Sequence, residues 1–175
     1  MADKKLNEGL GYGQIELNQC AFRRDGRIEA QCKIADGIDF IENGGIFAID
    51  NTKREVRYPA AGDYMFGLNY TSEHRYDERL VGGLKYYKTD KDSFLPRLGY
   101  LAVGDKFTTN TVVYDADDIT TMVYGYVKAG DNGYIRLSAT KPQDAIAGAP
   151  LLRVIDAKAT MPNGAPAVKF QCIKA

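Results

Sequence analysis

The chain has 175 residues, 45% of them hydrophobic, so it is long enough to bury a core without disulfides or metals. Its 23 Lys and Arg balance its 23 Asp and Glu, which argues against a nucleic-acid or acidic-membrane partner held by bulk electrostatic attraction. Its three cysteines are odd in number and stand in no CxxC spacing, which points to a reducing compartment, or at least to no disulfide framework.

Pairs of Asn or Asp with glycine punctuate the chain where apolar and polar residues alternate. They are Asp25-Gly26, Asp36-Gly37, Asn43-Gly44, Asn132-Gly133 and Asn163-Gly164. A type I′ turn needs positive φ at both central positions, which Asn, Asp and Gly tolerate best, so each pair predicts a hairpin. The sequence therefore predicts a mainly β fold, an antiparallel and hairpin-rich β-barrel or sandwich.

Taken in chain order, residues 1–13 hold three glycines and few core-forming side chains, which predicts an extended N-terminal arm. Strands are predicted where apolar and polar residues alternate, at 14–17, 27–34, 64–70 and 168–172. Residues 121–127 are apolar in both phases, which indicates a strand covered on both faces or one whose aromatic face meets a partner. Hairpins should join 38–42 to 46–49, 126–129 to 134–137, and 151–159 to 165–173.

One or two short helices are predicted. Residues 71–80 can begin at Thr71 or Ser72 as the N-cap and end before a pair of glycines. Residues 142–147 can form a second helix, with a proline in the first turn and Gly148 at its end.

The hydrophilic stretch 88–93, followed by Pro96, is the best candidate for a linker. It would separate the arm (1–13) and an N-terminal β-rich half (14–90) from a C-terminal β-barrel-like half (95–175). The alternative is one continuous domain.

Candidate chemistry is sparse. His74 could act with an acid one helical turn away, but a solvated helix of ion pairs explains the same residues, and a zinc site needs three or four ligands. The acidic run Asp115, Asp117 and Asp118 lacks the glycine and terminal glutamate of a calcium loop. It predicts a loop or helix cap, with a weakly bound surface cation as the alternative. We therefore predict no catalytic, cofactor-binding or metal-binding residue.

Cysteine and tyrosine usage favours packing and binding over catalysis. Cys32 and Cys172 fall in phase with apolar neighbours, so both are predicted to be small buried hydrophobic residues. Tyrosine combines broad apolar contact with a polar tip, which favours interfaces, although these rings could instead line the inner sheet faces. The predicted partner-binding residues are Leu6, Leu10, Tyr12, Tyr86, Tyr87, Tyr124 and Tyr126.

Two motifs carry a resemblance to a known family. The stretch 96–113 contains Gly104-Asp105-Lys106-Phe107 (GDxF) before a predicted strand, and 126–137 contains Ala129 to Tyr134 (AGDxGY) at a predicted hairpin. These residues resemble structural proteins of tailed-bacteriophage virions, especially the small β-barrel capsid decoration or cement proteins. The resemblance covers the C-terminal half and implies a non-enzymatic protein that assembles on a shell of major capsid subunits. It carries over no catalytic or contact residue.

Two hypotheses from different classes follow. The first is a virion structural protein, made in the host cytoplasm, that binds the major capsid protein and forms homo-oligomers on the particle, without cofactor, nucleic acid or membrane as partner. The second is a carbohydrate- or ligand-binding β protein, favoured by the tyrosines and the acidic run. No apolar stretch approaches the length of a membrane span.

Overall fold

The computed structural model describes residues 3–74, 89–91 and 95–175. Within these ranges the strands are β1 (Lys4–Lys5), β2 (Ile15–Gln19), β3 (Ile28–Glu29), β4 (Lys33–Ile34), β5 (Phe40–Ile41), β6 (Ile46–Asp50), β7 (Glu55–Arg57), β8 (Phe66–Asn69), β9 (Thr89–Asp90), β10 (Leu98–Gly99), β11 (Lys106–Thr109), β12 (Val112–Tyr114), β13 (Tyr124–Val127), β14 (Ile135–Ser138), β15 (Leu151–Thr160) and β16 (Pro166–Lys174). The described helices are α1 (Ala21–Asp25) and two 3-10 helices, Thr71–His74 and Ile119–Thr121.

The strands form three sheets, so the predicted mainly β fold is confirmed. The largest has eight strands in the order β1-β12-β14-β13-β15-β16-β11-β2, and the second has six in the order β3-β10-β8-β6-β7-β4. The third consists of β5 and β9. Within the described residues neither large sheet closes into a barrel, and the arrangement fits a sandwich. All pairs are antiparallel except β12 with β14 and β4 with β7.

Sheet pairing and core packing both cross the predicted linker. β1 and β2 pair with β12 and β11, while β10 pairs with β3 and β8. One apolar cluster contains Phe22 and Leu68 together with Phe107 and Phe170, all fully buried. The two predicted halves therefore share one core, because burial of these rings requires side chains from both.

Two of the predicted hairpins are confirmed. β13 and β14 pair antiparallel across the turn at Asn132-Gly133, where both residues have positive φ (53° and 84°). β15 and β16 pair across Asn163-Gly164 and form the longest hairpin among the described residues. Both follow from turn residues placed between alternating strands.

The hairpin predicted at Asn43-Gly44 is wrong. β5 pairs with β9, while β6 pairs with β7 and β8. Gly44 does have positive φ (80°), but it serves a close approach between segments: a Cβ there would lie 2.0 Å from Thr109 Oγ1. The glycine is needed because the Thr109 side chain and the Gln14 carbonyl oxygen (2.7 Å from such a Cβ) pass beside it.

The single strand predicted over 27–34 is also wrong. It is divided into β3 and β4, which lie at opposite edges of the six-stranded sheet. The Glu29 carboxylate accepts hydrogen bonds from the backbone N–H groups of Gln31 (2.6 Å) and Cys32 (3.1 Å). This side chain holds a turn between the two strands, where the alternating pattern had predicted continuous extension.

Helix prediction succeeded only in part. Residues 142–147 are irregular, and the Ile146 N–H donates to the Val127 carbonyl instead of entering a helix. The N-terminal part of the 71–80 prediction is a 3-10 helix, Thr71–His74, and the remainder lies outside the described residues. The unpredicted helix α1 ends at Gly26 in the left-handed conformation (φ 68°). Asp25-Gly26 therefore ends a helix, and Asp36-Gly37 lies between β4 and β5, which do not pair.

Candidate functional site

The N-terminal segment, residues 3–13, lies against the body of the protein. β1 pairs antiparallel with β12 at one edge of the eight-stranded sheet, and Leu6 N–H donates to the Val112 carbonyl (3.0 Å). The segment then passes through turns to Gly13. The sequence had predicted an extended arm, and the edge of β12 provides the backbone partners that bind its first part.

Arg136 on β14 fixes the start of this segment. Its Nη1 and Nη2 atoms donate to the Asp3 carboxylate (3.0 and 2.6 Å), while Nε and Nη2 donate to Asp131 (2.6 and 2.7 Å). These hydrogen bonds lower the pKa of Asp3 and raise the pKa of Arg136. Because Arg136 is only 8% exposed, the two carboxylates neutralise a charge that would be costly to bury alone.

A second chain of hydrogen bonds holds the far end of the segment. Asn7 Nδ2 donates to the Tyr134 hydroxyl (3.3 Å), which is hydrogen-bonded to Glu42, and Glu42 Oε2 accepts from the Gly13 N–H (2.6 Å). Burial and the Glu42 charge raise the pKa of Tyr134 to about 12. Tyr134 therefore keeps its proton at neutral pH and can donate to the carboxylate.

A small cleft opens where the segment meets the body. Its volume is about 260 Å³, and it is lined by Lys5, Asn7, Glu8, Gly11, Phe40, Glu42, Tyr58, Asn132 and Tyr134. The Lys5 ammonium lies 4.5 Å from the centre of the Tyr134 ring, in cation-π geometry. Three aromatic rings beside carboxylate and amide groups can bind a small polar ligand that also presents an apolar face.

The predicted partner-binding residues that the structure describes do not form one surface. Leu6 and Leu10 are half-buried, Leu6 against the main core and Leu10 against the cluster of Met161, Ala165 and Ala167. Tyr12 is also half-buried. All three belong to the N-terminal segment, which turns its apolar side chains largely toward this chain.

The predicted tyrosines on β13 are not freely exposed either. Tyr126 is 5% exposed, and burial followed by a hydrogen bond to Asp144 raises its pKa. Tyr124 is half-buried, with the Arg153 guanidinium 5.7 Å from its ring centre. Tyr86 and Tyr87 lie outside the described residues.

The other candidates from the sequence have structural roles where they are described. Asp118 caps the 3-10 helix Ile119–Thr121 by accepting from Thr120 N–H (2.8 Å), which confirms the predicted cap, and Asp117 pairs with Lys4 (3.3 Å). Among the described residues no three His, Cys, Asp or Glu side chains group as metal ligands. His74 ends a 3-10 helix, and its side chain is outside the described part.

All three cysteines are free thiols, and Cys32 and Cys172 are buried as predicted. Burial, followed by the charge of Asp105, raises the pKa of Cys20 to about 12. Burial also raises the pKa values of Cys32 and Cys172 to about 11. Protonated thiols of this kind are poor nucleophiles.

A surface that the sequence did not predict lies beside β2, the other edge of the eight-stranded sheet. We call it the β2-edge surface, consisting of Leu17, Arg23, Arg24, Val103 and Ile173. Val103 is 68% and Ile173 40% exposed, and the Gly104 N–H between them donates to the Cys172 carbonyl (2.8 Å). A shallow depression of about 490 Å³ separates Leu17, Arg23 and Arg24 from Val103. The sequence predicted the Gly104-Asp105 turn, but only the fold reveals which neighbours remain exposed.

Comparison with known proteins gives no match: no protein-family model, curated protein sequence or solved structure is similar to this chain. Within the described part of the chain, no helix has the length and apolar character needed to cross a bilayer.

Proposed function

We propose that this protein is a non-enzymatic structural protein of a tailed-bacteriophage virion that binds the shell of major capsid subunits and stabilises or decorates it. Several copies would associate on the particle. The chain would be made in the host cytoplasm and act without a cofactor.

The observation that carries this proposal is the position of the two motifs that resemble capsid decoration proteins. Asp105 of the first motif is buried and accepts from the N–H groups of Ala21 and Ala102 (both 2.8 Å), and Phe107 is fully buried. Asp131 of the second motif binds Arg136, and Tyr134 is 7% exposed. The resemblance therefore falls on residues that hold turns and core together, and we extend it from these structural positions to function.

The β2-edge surface is our candidate for the contact with the shell. It combines exposed apolar side chains with two arginines at the end of a sheet, and such edges accept protein partners. Arg24 pairs with Asp25 (2.8 Å), while Arg23 is exposed beside the depression. A partner surface with an apolar centre and an acidic rim would complement this arrangement.

Co-sedimentation with shells assembled from the accompanying major capsid protein tests the function. The wild-type chain should pellet with the shells, and Val103→Asp should weaken binding about tenfold, which corresponds to about 1.4 kcal/mol. Tyr64→Asp is the matched control, because Tyr64 is 76% exposed on a different loop. Failure of the wild-type chain to pellet would refute the function, whereas equal binding by the Val103 variant would refute only the contact surface. Location of the gene beside a capsid or scaffold gene would support the same class.

The cleft beside Tyr134 favours the second candidate, a carbohydrate- or ligand-binding protein. Aromatic faces beside carboxylate and amide groups suit a saccharide ring. Because the chain has no tryptophan, its tyrosine fluorescence can report titration with neutral oligosaccharides. Saturable binding that Tyr58→Ala abolishes and Tyr64→Ala preserves would support this function. A flat titration would exclude it for those sugars.

A further inference from the structure

The N-terminal segment contains a docked part, an exposed connection and a fixed end. Residues 3–7 make the contacts to β12, Arg136 and Tyr134 described above. Glu8 and Gly9 follow and are exposed, and a Cβ added at Gly9 would meet no atom within 4 Å. Beyond them, Gly13 and Gln14 are fixed by N–H bonds to Glu42 and Asn110, both 2.6 Å long. Three backbone hydrogen bonds close this turn: Glu8 N–H donates to the Lys5 carbonyl (3.3 Å), and the Leu10 and Gly11 N–H groups donate to the Asn7 carbonyl (both 3.0 Å). A change of direction at Glu8 and Gly9 opens this turn, while Gly13 and Gln14 keep their buried partners.

The groove that residues 3–7 occupy is specific for their sequence. Arg136 meets Asp3 through a paired hydrogen bond, and Asp117 meets Lys4 (3.3 Å). Tyr134 receives both the Lys5 ammonium over its ring and the Asn7 amide at its hydroxyl. Positive and negative charges of the segment thus face opposite charges of the groove in a fixed order, which few unrelated peptides would reproduce.

A groove left empty would expose both hydrogen-bonding and charged groups. The outer edge of β12 would lose its partner strand, since β1 is the end of the eight-stranded sheet. Arg136 would keep Asp131 but lose Asp3. Every copy of the chain carries the one segment that satisfies these groups, so a second copy is the partner that the groove fits best.

We propose that closely placed copies of this protein exchange residues 3–7, each segment docking in the groove of a neighbouring copy. The exchanged state repeats the contacts of the closed state, so the two differ mainly in the entropy of association and the conformation of the connection. Exchange should therefore depend on concentration and increase where copies are held side by side. This inference does not depend on the identity of any shell.

Two variants, each with one cysteine added to the three native thiols, test the exchange directly. Lys4 and Tyr114 are Cα partners in the antiparallel pair of β1 and β12. Opposed residues of such a pair have Cα atoms about 4.5 to 5.5 Å apart, within the range that a disulfide spans. When Lys4→Cys and Tyr114→Cys chains are mixed and oxidised, a 4–114 disulfide can form only between copies. We expect a covalent 1:1 dimer that grows from a trace to the main product as concentration rises.

The controls separate exchange from random oxidation. The wild-type chain under the same conditions should give no dimer. A Lys33→Cys/Glu55→Cys chain, whose sites are Cα partners within the body, should close inside one molecule at every concentration. Absence of the 4–114 dimer from the mixture, while a Lys4→Cys/Tyr114→Cys chain closes internally at all concentrations, would overturn the proposal.

A second measurement covers the case in which the Tyr114 substitution unfolds the chain. A variant lacking residues 2–7 offers an empty groove, and an Arg136→Gln chain offers a segment whose own groove is impaired. Native mass spectrometry of the mixture should show a 1:1 complex that neither variant forms alone. If both variants remain folded by circular dichroism and no complex forms, the groove does not accept a segment from another copy.

Discussion

Asp3 and Arg136 lie 133 positions apart in the sequence, yet the carboxylate and the guanidinium meet through two hydrogen bonds of 3.0 and 2.6 Å. Their side chains differ in environment, since that of Asp3 is 52% exposed and that of Arg136 only 10%. Asp131, on the other side of the same guanidinium, is 9% exposed. The pair therefore joins the solvated N-terminal segment to a buried ionic cluster.

This difference in exposure predicts an order of stabilities. Asp131→Asn should lower the free energy of unfolding by about 3 kcal/mol, because it leaves a buried guanidinium short of a charge. Asp3→Asn should lower it by about 0.5 to 1 kcal/mol, because solvent screens that carboxylate. Asp25→Asn, at a fully exposed pair, should leave the urea midpoint unchanged. Equal effects of the three substitutions would show that burial does not control this cluster.

Acid should weaken the same cluster. The Arg136 hydrogen bonds lower the pKa of Asp3. A carboxylate with a lowered folded pKa contributes stability above its unfolded pKa of about 3.9, and this contribution is lost as the pH falls through the folded value. In urea unfolding below about pH 4, the difference in free energy of unfolding between the wild type and Asp3→Asn should therefore shrink. A stability gap that is unchanged in acid would contradict this assignment.

Gly133 should tolerate no side chain. Its φ is 84°, and a Cβ there would lie 2.3 Å from Phe47 Cε1, so Gly133→Ala combines backbone strain with overpacking. We expect a loss of about 2 to 4 kcal/mol in thermal or urea unfolding. Gly130→Ala is the matched control, since its φ is 92° but its Cβ would meet open space. The control should cost about 1 kcal/mol, the strain alone. Similar losses of stability for Gly133→Ala and Gly130→Ala would show that the contact with Phe47 adds nothing to the cost.

Raising the pH should remove the contribution that Tyr134 makes to stability. Burial and Glu42 raise its pKa to about 12, compared with about 10 in an unfolded chain. Its contribution to stability is complete below about pH 10 and is lost between about pH 10 and 12. Tyr134→Phe should be less stable than the wild type by about 1 kcal/mol at neutral pH, and the gap should narrow in alkali. Urea unfolding at several pH values measures this gap, and a constant gap would contradict the assignment.

The thiols should react slowly in the folded protein. Burial raises the pKa of Cys20 to about 12 and that of the other two cysteines to about 11, so little thiolate exists near pH 8. A chromogenic disulfide reagent should modify all three cysteines quickly in urea but at least about tenfold more slowly without it. Rapid modification of one native thiol would show that its surroundings open readily.

The sequence by itself determined the β class and the two hairpins at Asn132-Gly133 and Asn163-Gly164. Those features are local, because alternation fixes which face is buried and the turn residues accept the backbone angles required. The same reasoning predicted a loop or helix cap in the acidic run 115–118 and the burial of Cys32 and Cys172, whose causes lie within a few residues.

Only the tertiary structure decided the rest. Asn43-Gly44 looks like a hairpin in sequence, yet Gly44 is needed because Thr109 passes beside it, and no local pattern encodes that contact. The division of 27–34 depends on a carboxylate that turns back on its own backbone. The docking of Asp3 on Arg136 depends on the pairing of β1 with β12 and of β12 with β14, which brings residues 3 and 136 together. Pairings between distant residues depend on which surfaces the whole fold leaves available, and for that reason the sequence pattern did not predict them.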